Sequence, residues 1–184
     1  MSHFDYFRSV IRDPKVAALT GSSRYAVQKI IQELPHPCMH IIEYGAGEGV
    51  VTRKLLAVLP RQAKVFAVEL NPFLVSKLKK IHDPRLVILH ENVLDVSQRL
   101  AGLGVKKFDA AISGIPLSFW AGTSPKNRND IIRRTSGMLR KGGRFIVYQF
   151  TPVSLPSLKK YFRKTSWTCE LRNFPPYFVM TATK

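Results

Sequence analysis

The sequence predicts an α/β fold, doubly wound around a mostly parallel seven-stranded sheet, with a C-terminal antiparallel hairpin. Strand-like and helix-like apolar patterns alternate along nearly the whole chain, the signature of a parallel sheet covered on both faces. A glycine-rich turn, Gly45-Ala46-Gly47-Glu48-Gly49, lies between the first strand pattern and the helix pattern that follows. No linker, repeat or low-complexity stretch divides the 184 residues, a length that suits one domain of roughly 100–200 residues.

The elements follow in order. Phe4, Phe7, Val10 and Ile11 recur at helical spacing up to Asp13-Pro14. Ser22 or Ser23 suits the cap of a helix with Ala26, Val27, Ile30, Ile31 and Leu34 on one face, ended by Pro35. Cys38 to Glu43 reads as a buried strand. The helix after the glycine turn carries Val50, Val51, Leu55, Leu56 and Leu59. Lys64 to Glu69 is the second strand, and Pro72 suits the first turn of the next helix. Arg85 to His90 and Phe108 to Ser113 are further strands, with a short helix near Val96 to Leu100 between them. Asn127 to Leu139 reads as a helix stopped by Gly142-Gly143. Arg144 to Phe150 is a strand and Leu155 to Arg163 a helix. Trp167 to Asn173 and Tyr177 to Thr183 form the closing hairpin around Pro175-Pro176. Residues 36–184 are expected to form the catalytic core of a single domain spanning 1–184, with 1–35 as a helical lid or membrane-contact segment.

Composition narrows the class. With 45% hydrophobic residues the chain can bury a core, which excludes intrinsic disorder. Cys38 and Cys169 are the only cysteines, so no disulfide partner is expected. His3, His36, His40, His82 and His90 show no ligand spacing, so no metal site is expected. No apolar run approaches the roughly 18 residues of a membrane span, and the opening lacks a signal-peptide core, so a cytoplasmic protein is expected, peripheral on the inner membrane face. The formal charge is +17. Residues 1–95 carry 13 basic and 9 acidic side chains, and residues 96–184 carry 16 basic and 3 acidic. That asymmetry implies a polyanionic partner for the second half, either an anionic membrane surface or RNA.

The strongest chemical signal is Glu43-Tyr44-Gly45-Ala46-Gly47-Glu48-Gly49. Glycines there let a ligand approach the main chain closely. Glu69 ends the next strand, where a carboxylate accepts hydrogen bonds from both hydroxyls of a ribose. A dinucleotide would place its diphosphate beside Glu43 and Glu48, which repel it. The ammonium and sulfonium of S-adenosyl-L-methionine are favoured by the same carboxylates. These residues resemble motif I of the class I S-adenosylmethionine-dependent methyltransferases, and the order of strands and helices is similar to theirs. The resemblance implies their Rossmann-like fold. It also assigns the methionyl end of the cofactor to Glu43, Tyr44, Gly45, Ala46, Gly47 and Gly49, the ribose to Glu69, and the adenine to Asn92 and Val93, with Leu70 a further cofactor-binding residue.

The resemblance places the methyl acceptor at Ser113-Gly114-Ile115-Pro116, where carbonyls and a polar side chain hold an NH group and Pro116 stiffens the loop. Ribosomal RNA adenine dimethyltransferases have an aromatic residue after the proline, to stack on a flipped base. Leu117 stands there in this chain, which also ends at its last predicted strand. Ser113 to Leu117, Gly142-Gly143-Arg144-Phe145, Gln149-Phe150-Thr151 and the opening with Pro14, Val16, Ala17 and Ser22-Ser23 resemble the bacterial phospholipid N-methyltransferases, a likeness running from about Phe4 to Pro152. The resemblance implies methylation of the amine of phosphatidylethanolamine at a membrane surface, with RNA methylation as the alternative and a small-molecule acceptor after that. Phe4 to Arg12 suits a bilayer interface. Lys159, Lys160, Arg163 and Lys164 interleave with Tyr161-Phe162 in a patch that either polyanion would meet. No carboxylate lies beside Ser113 to act as base; Tyr25, Tyr44 and Tyr148 are the tyrosines to consider.

Overall fold

The computed structural model describes residues 24–105, 107–117, 123–172 and 176–184. The expected Phe4–Ile11 helix, the Ser22 and Ser23 caps and part of the hairpin turn lie outside them.

Helix α1 spans Arg24–Gln32, and its apolar face buries Ala26, Val27 and Ile30. Alternation of strand and helix then continues as β1 His40–Tyr44, α2 Val50–Val58, β2 Lys64–Val68, α3 Pro72–Leu78, β3 Leu86–Leu89, α4 Val96–Gly102 and β4 Phe108–Ser113. The chain closes with α5 Pro125–Met138, β5 Leu139–Gln149, α6 Leu155–Tyr161, β6 Lys164–Glu170 and β7 Tyr177–Thr183. Two helix starts follow their side-chain chemistry. Asn71 Oδ1 accepts from Phe73 N at 2.9 Å ahead of Pro72, and Ser124 Oγ accepts from Asn127 N at 3.1 Å ahead of Pro125.

The seven strands lie in the order β3-β2-β1-β4-β5-β7-β6. The first five run parallel, and β7 is antiparallel to both β5 and β6. The expected fold class stands, with one refinement: β5 begins at Leu139 and crosses Gly142-Gly143 with a register shift against β4. Gly142 adopts a φ of 78° there, which lets the strand bend and continue where the sequence suggests a turn. Every residue of β4 is buried, so one hydrophobic layer forms on each face of the sheet.

Asp109 fastens the amino end. It accepts from Met39 N and His40 N at 2.7 and 2.8 Å and pairs with Arg140. Burial pulls its carboxyl upward, but the two backbone donors and the guanidinium outweigh that and hold it below the usual range.

Parallel strands place their carboxyl ends on one edge of the molecule, and the loops after β1, β2, β4 and β5 gather there. The opposite, amino end carries the turn before β5, the start of β6 and the end of β7. Arg144 pairs with Thr183 and Thr183 with Lys164, so Lys164 is level with the amino end of β5.

Candidate active site

The glycine loop is bound to the strand beside it. Gly45 N and Ala46 N both donate to Val68 O, at 2.9 and 3.2 Å. Gly45 and Gly47 hold left-handed φ values of 70° and 57°. A Cβ on Gly45 would lie 2.9 Å from Ile115 Cγ1, whereas one on Gly47 would meet nothing within 4 Å. The first glycine therefore admits the neighbouring loop, and the second faces open space.

Glu69 joins this loop to the end of β2. Its Oε2 accepts from Gly47 N at 2.9 Å, and its Oε1 accepts from Leu70 N and Asn71 N at 3.0 and 2.9 Å. A carboxylate offers about four acceptor positions, so three are taken by the protein.

Glu43 lies at the other side of the loop and is 1% exposed. Thr52 Oγ1 donates to its Oε2 at 2.6 Å. Burial pushes its carboxyl up to about 8, against the Thr52 hydrogen bond and assisted by the nearby charge of Glu69. Two buried side-chain oxygens lack a partner among the described residues, Glu43 Oε1 and Ser113 Oγ. Both stand at the carboxyl ends of adjacent strands, and an unsatisfied buried acceptor is costly unless something binds it.

The acceptor loop is gripped from several sides. Gly114 N donates to Tyr44 O at 3.0 Å. A Cβ on Gly114 would fall on the Tyr148 hydroxyl and lie 2.9 Å from Tyr148 Cζ, so only glycine fits. Leu117 N donates to Gln149 Oε1 at 3.1 Å, and Gln149 Nε2 donates to Thr151 O and Ser154 Oγ at 2.7 and 3.2 Å. Thr123 Oγ1 donates to Pro116 O at 2.8 Å, and Arg128 Nη1 reaches Leu117 O at 3.4 Å. Adjacent residues of β5, Tyr148 and Gln149, thus hold one loop from the two faces of the sheet. The amide clamp of Gln149 escaped sequence reading; a buried polar residue ending a central strand beside the acceptor strand is the signal that marks it.

Several expectations change. Tyr44 turns its ring into the core against Phe145, and its hydroxyl accepts from Thr135 Oγ1 at 3.2 Å. Its part at the site is its carbonyl. Burial also pushes its hydroxyl pKa above the ordinary tyrosine value, which removes it as a base. Tyr25 lies with the Arg172 guanidinium 4.2 Å from its ring centroid. Asn92 Oδ1 accepts from Leu94 N at 2.9 Å in a turn, leaving its NH₂ as the free end, and Val93 packs against the core. Leu117 is fully buried, so its identity carries no information about a stacked base. The basic patch moves most. Lys159 and Lys160 occupy the last turn of α6 and Lys164 opens β6, all at the amino end, away from the acceptor loop. A cleft of about 420 Å³ lined by Ile31, Leu34, Cys38 and Leu59 is also at that end and holds none of the site residues.

A glycine loop facing open space, an orphaned buried carboxylate oxygen and an acidic residue ending β2 together fit S-adenosylmethionine, whose ammonium needs an anionic acceptor. Fold and site thus define a nucleoside-cofactor enzyme of the methyl-transferring kind. The comparisons with known proteins agree. A family model described as ribosomal RNA adenine dimethylase matches residues 22–103. The chain is 24% identical over 166 residues to an ornithine lipid N-methyltransferase of Singulisphaera acidiphila, covering 88% of this chain and 84% of that protein. Its fold is similar to that of the N-methyltransferase NodS of Bradyrhizobium japonicum in complex with S-adenosyl-L-homocysteine, with a TM-score of 0.72, 10% identity, and 100% and 99% of the two chains covered. A precorrin-6y C5,15-methyltransferase of Geobacter metallireducens gives a TM-score of 0.68 at 16% identity, covering 89% and 90%. The chain is an S-adenosylmethionine-dependent methyltransferase.

Proposed function

We propose that this enzyme methylates the primary amine of an aminolipid, such as phosphatidylethanolamine or an ornithine-type headgroup. The observation that carries the reading is the reach of the likeness to the ornithine lipid N-methyltransferase. It covers 88% of the chain, whereas the ribosomal RNA family model ends at residue 103, before the acceptor loop. RNA remains the second reading, favoured by that family model and by the +17 charge.

Bound S-adenosylmethionine supplies an electrophilic methyl on a sulfonium. Glu43 Oε1 would take its ammonium, Gly47 would give it room, and the free lone pair of Glu69 would meet the ribose. The acceptor loop does the rest by positioning, because an in-line displacement gains most from alignment. Ser113 Oγ and the carbonyls of Gly114 and Ile115 hold the amine, while the carbonyls of Pro116 and Leu117 are occupied by Thr123 and Arg128. The amine must be neutral to attack, so its ammonium proton leaves to water first. Transfer of the methyl to the amine lone pair would leave a neutral thioether and a secondary ammonium, so one proton is released to water for each methyl added. This reading places the enzyme at the cytoplasmic face of a membrane.

Radiolabelled methyl transfer into total lipid and total RNA of a cell extract tests it. Label in an aminolipid is the expected result; label confined to RNA overturns it.

A further inference from the structure

The two ends of the sheet differ in what they expose. Nine large apolar side chains are exposed among the described residues, and six lie at the carboxyl end, on its loops or in the first turns of α2 and α3: Val50, Leu70, Phe73, Phe150, Val153 and Leu171. Leu171 at 76%, Phe73 at 62% and Leu70 at 56% are the most exposed of all nine. Single exposed apolar residues need no explanation, but six of nine at one end of the sheet mark an interaction surface. Cations stand among them at the exposed Arg53, Lys54 and Lys126, whereas the exposed Arg172 is paired with Glu170. Two neighbouring acids are neutralised, Glu48 by Lys77 and Glu170 by Arg172, while Glu91 and Asp95 beyond β3 carry no ion pair among the described residues.

We propose that this carboxyl-end rim is a docking face for an anionic bilayer, its apolar side chains entering the interface and its cations meeting lipid phosphates. The inference rests on the aminolipid reading, and it says how such a substrate is reached: the acceptor loop follows β4, which lies between the β2 and β6 ends of the rim, so a headgroup would reach it without its lipid leaving the membrane. Apolar side chains set beside cations complement an anionic lipid surface, which offers both acyl chains and phosphates. The strongest basic cluster lies a strand length away, about 20 Å, and so beyond the roughly 8–10 Å over which salt lets charges act.

The test compares the full chain with a Phe73→Ser, Leu171→Ser double variant. Two acceptors are used: phosphatidylglycerol–phosphatidylethanolamine vesicles, and dihexanoyl phosphatidylethanolamine held monomeric in solution. Vesicle affinity of the variant should fall by about tenfold or more. Its kcat/KM on vesicles should fall with it, while kcat/KM on the soluble lipid and the melting temperature stay unchanged. Unchanged vesicle affinity overturns the docking face. A lower melting temperature, or a shift from dimer to monomer on size exclusion, also overturns it, by showing that this chain or a second copy covers those side chains. Loss of structured-RNA binding with vesicle binding intact assigns the rim to RNA and overturns it too. If the wild type methylates neither lipid yet binds vesicles through the rim, the aminolipid reading fails and the docking face stands.

Discussion

The carboxyl end and the amino end of this sheet are built from the same strands but offer opposite surfaces. The carboxyl end holds the glycine loop, the acceptor loop and most of the large apolar side chains exposed among the described residues. The amino end carries Lys107, Lys141, Lys159, Lys160, Arg163, Lys164 and Lys184, all exposed. Asp109 is the only acid of residues 96–184 at that end, and Arg140 pairs with it. Two of the cations have local work: Lys107 Nζ donates to Gly137 O and Lys184 Nζ to Ser136 Oγ, near the last turn of α5. The charge therefore does not surround the reaction, even though it belongs to the half of the chain that builds the acceptor loop. Nearness in sequence and nearness in space part company because each α/β connection carries the chain from one end of the sheet to the other.

Substitutions at the two ends should separate these roles. The largest effect belongs to Glu69→Ala, which removes the acceptor for Gly47 N and, on the proposed reading, for the ribose. Cofactor affinity measured by calorimetry should fall on the order of 100-fold, and an unchanged affinity would break the assignment of the cofactor to this end. Gly114→Ala comes next. It drives a methyl into the Tyr148 hydroxyl and displaces the acceptor loop, so kcat should fall roughly 10- to 100-fold with cofactor affinity preserved. Adding Tyr148→Phe removes the obstructing oxygen and should restore part of the loss; no recovery would mean that the loop is held some other way.

A smaller effect concerns pH. Glu43 holds its proton in the folded protein up to about 8, well above the unfolded range. Between those values the native state binds more protons than the unfolded one, so stability falls as pH rises through that window. Glu43→Gln should flatten this decline in thermal melts without cofactor. A cation bound beside Glu43 favours the carboxylate, so cofactor binding near pH 7 should release a proton. Calorimetry in buffers of different ionisation enthalpy should show that release in the wild type and its absence in Glu43→Gln. The smallest effect is expected from Lys159→Gln, Lys160→Gln and Lys164→Gln together. Retention on heparin should weaken while kcat/KM on the aminolipid stays the same, and a parallel loss of activity would join the two ends functionally.

Much of the fold was legible because apolar periodicity and punctuation agree at most elements. Asn71-Pro72 starts α3 as its chemistry suggests, and Glu43, the glycines and Glu69 converge as their spacing implies. Two kinds of feature were hidden. One is direction: Tyr44 and Leu117 sit in site-like motifs, but their side chains belong to the core, because in buried strands and their ends both faces are apolar and period alone does not tell which way a residue points. The other is long-range pairing. Gln149 holds Leu117 from 32 residues away, and Tyr148 demands glycine at 114, contacts set only once β5 lies beside β4.

Hydrogen–deuterium exchange with and without anionic vesicles containing phosphatidylethanolamine tests the central claim most directly, since it reads both ends in one experiment. The account predicts slowed exchange in the carboxyl-end segments around residues 48–53, 69–75, 149–155 and 170–172, with 139–142 and 158–164 unchanged. Protection confined to 139–142 and 158–164 would contradict it, and would return the basic end to the role of membrane contact.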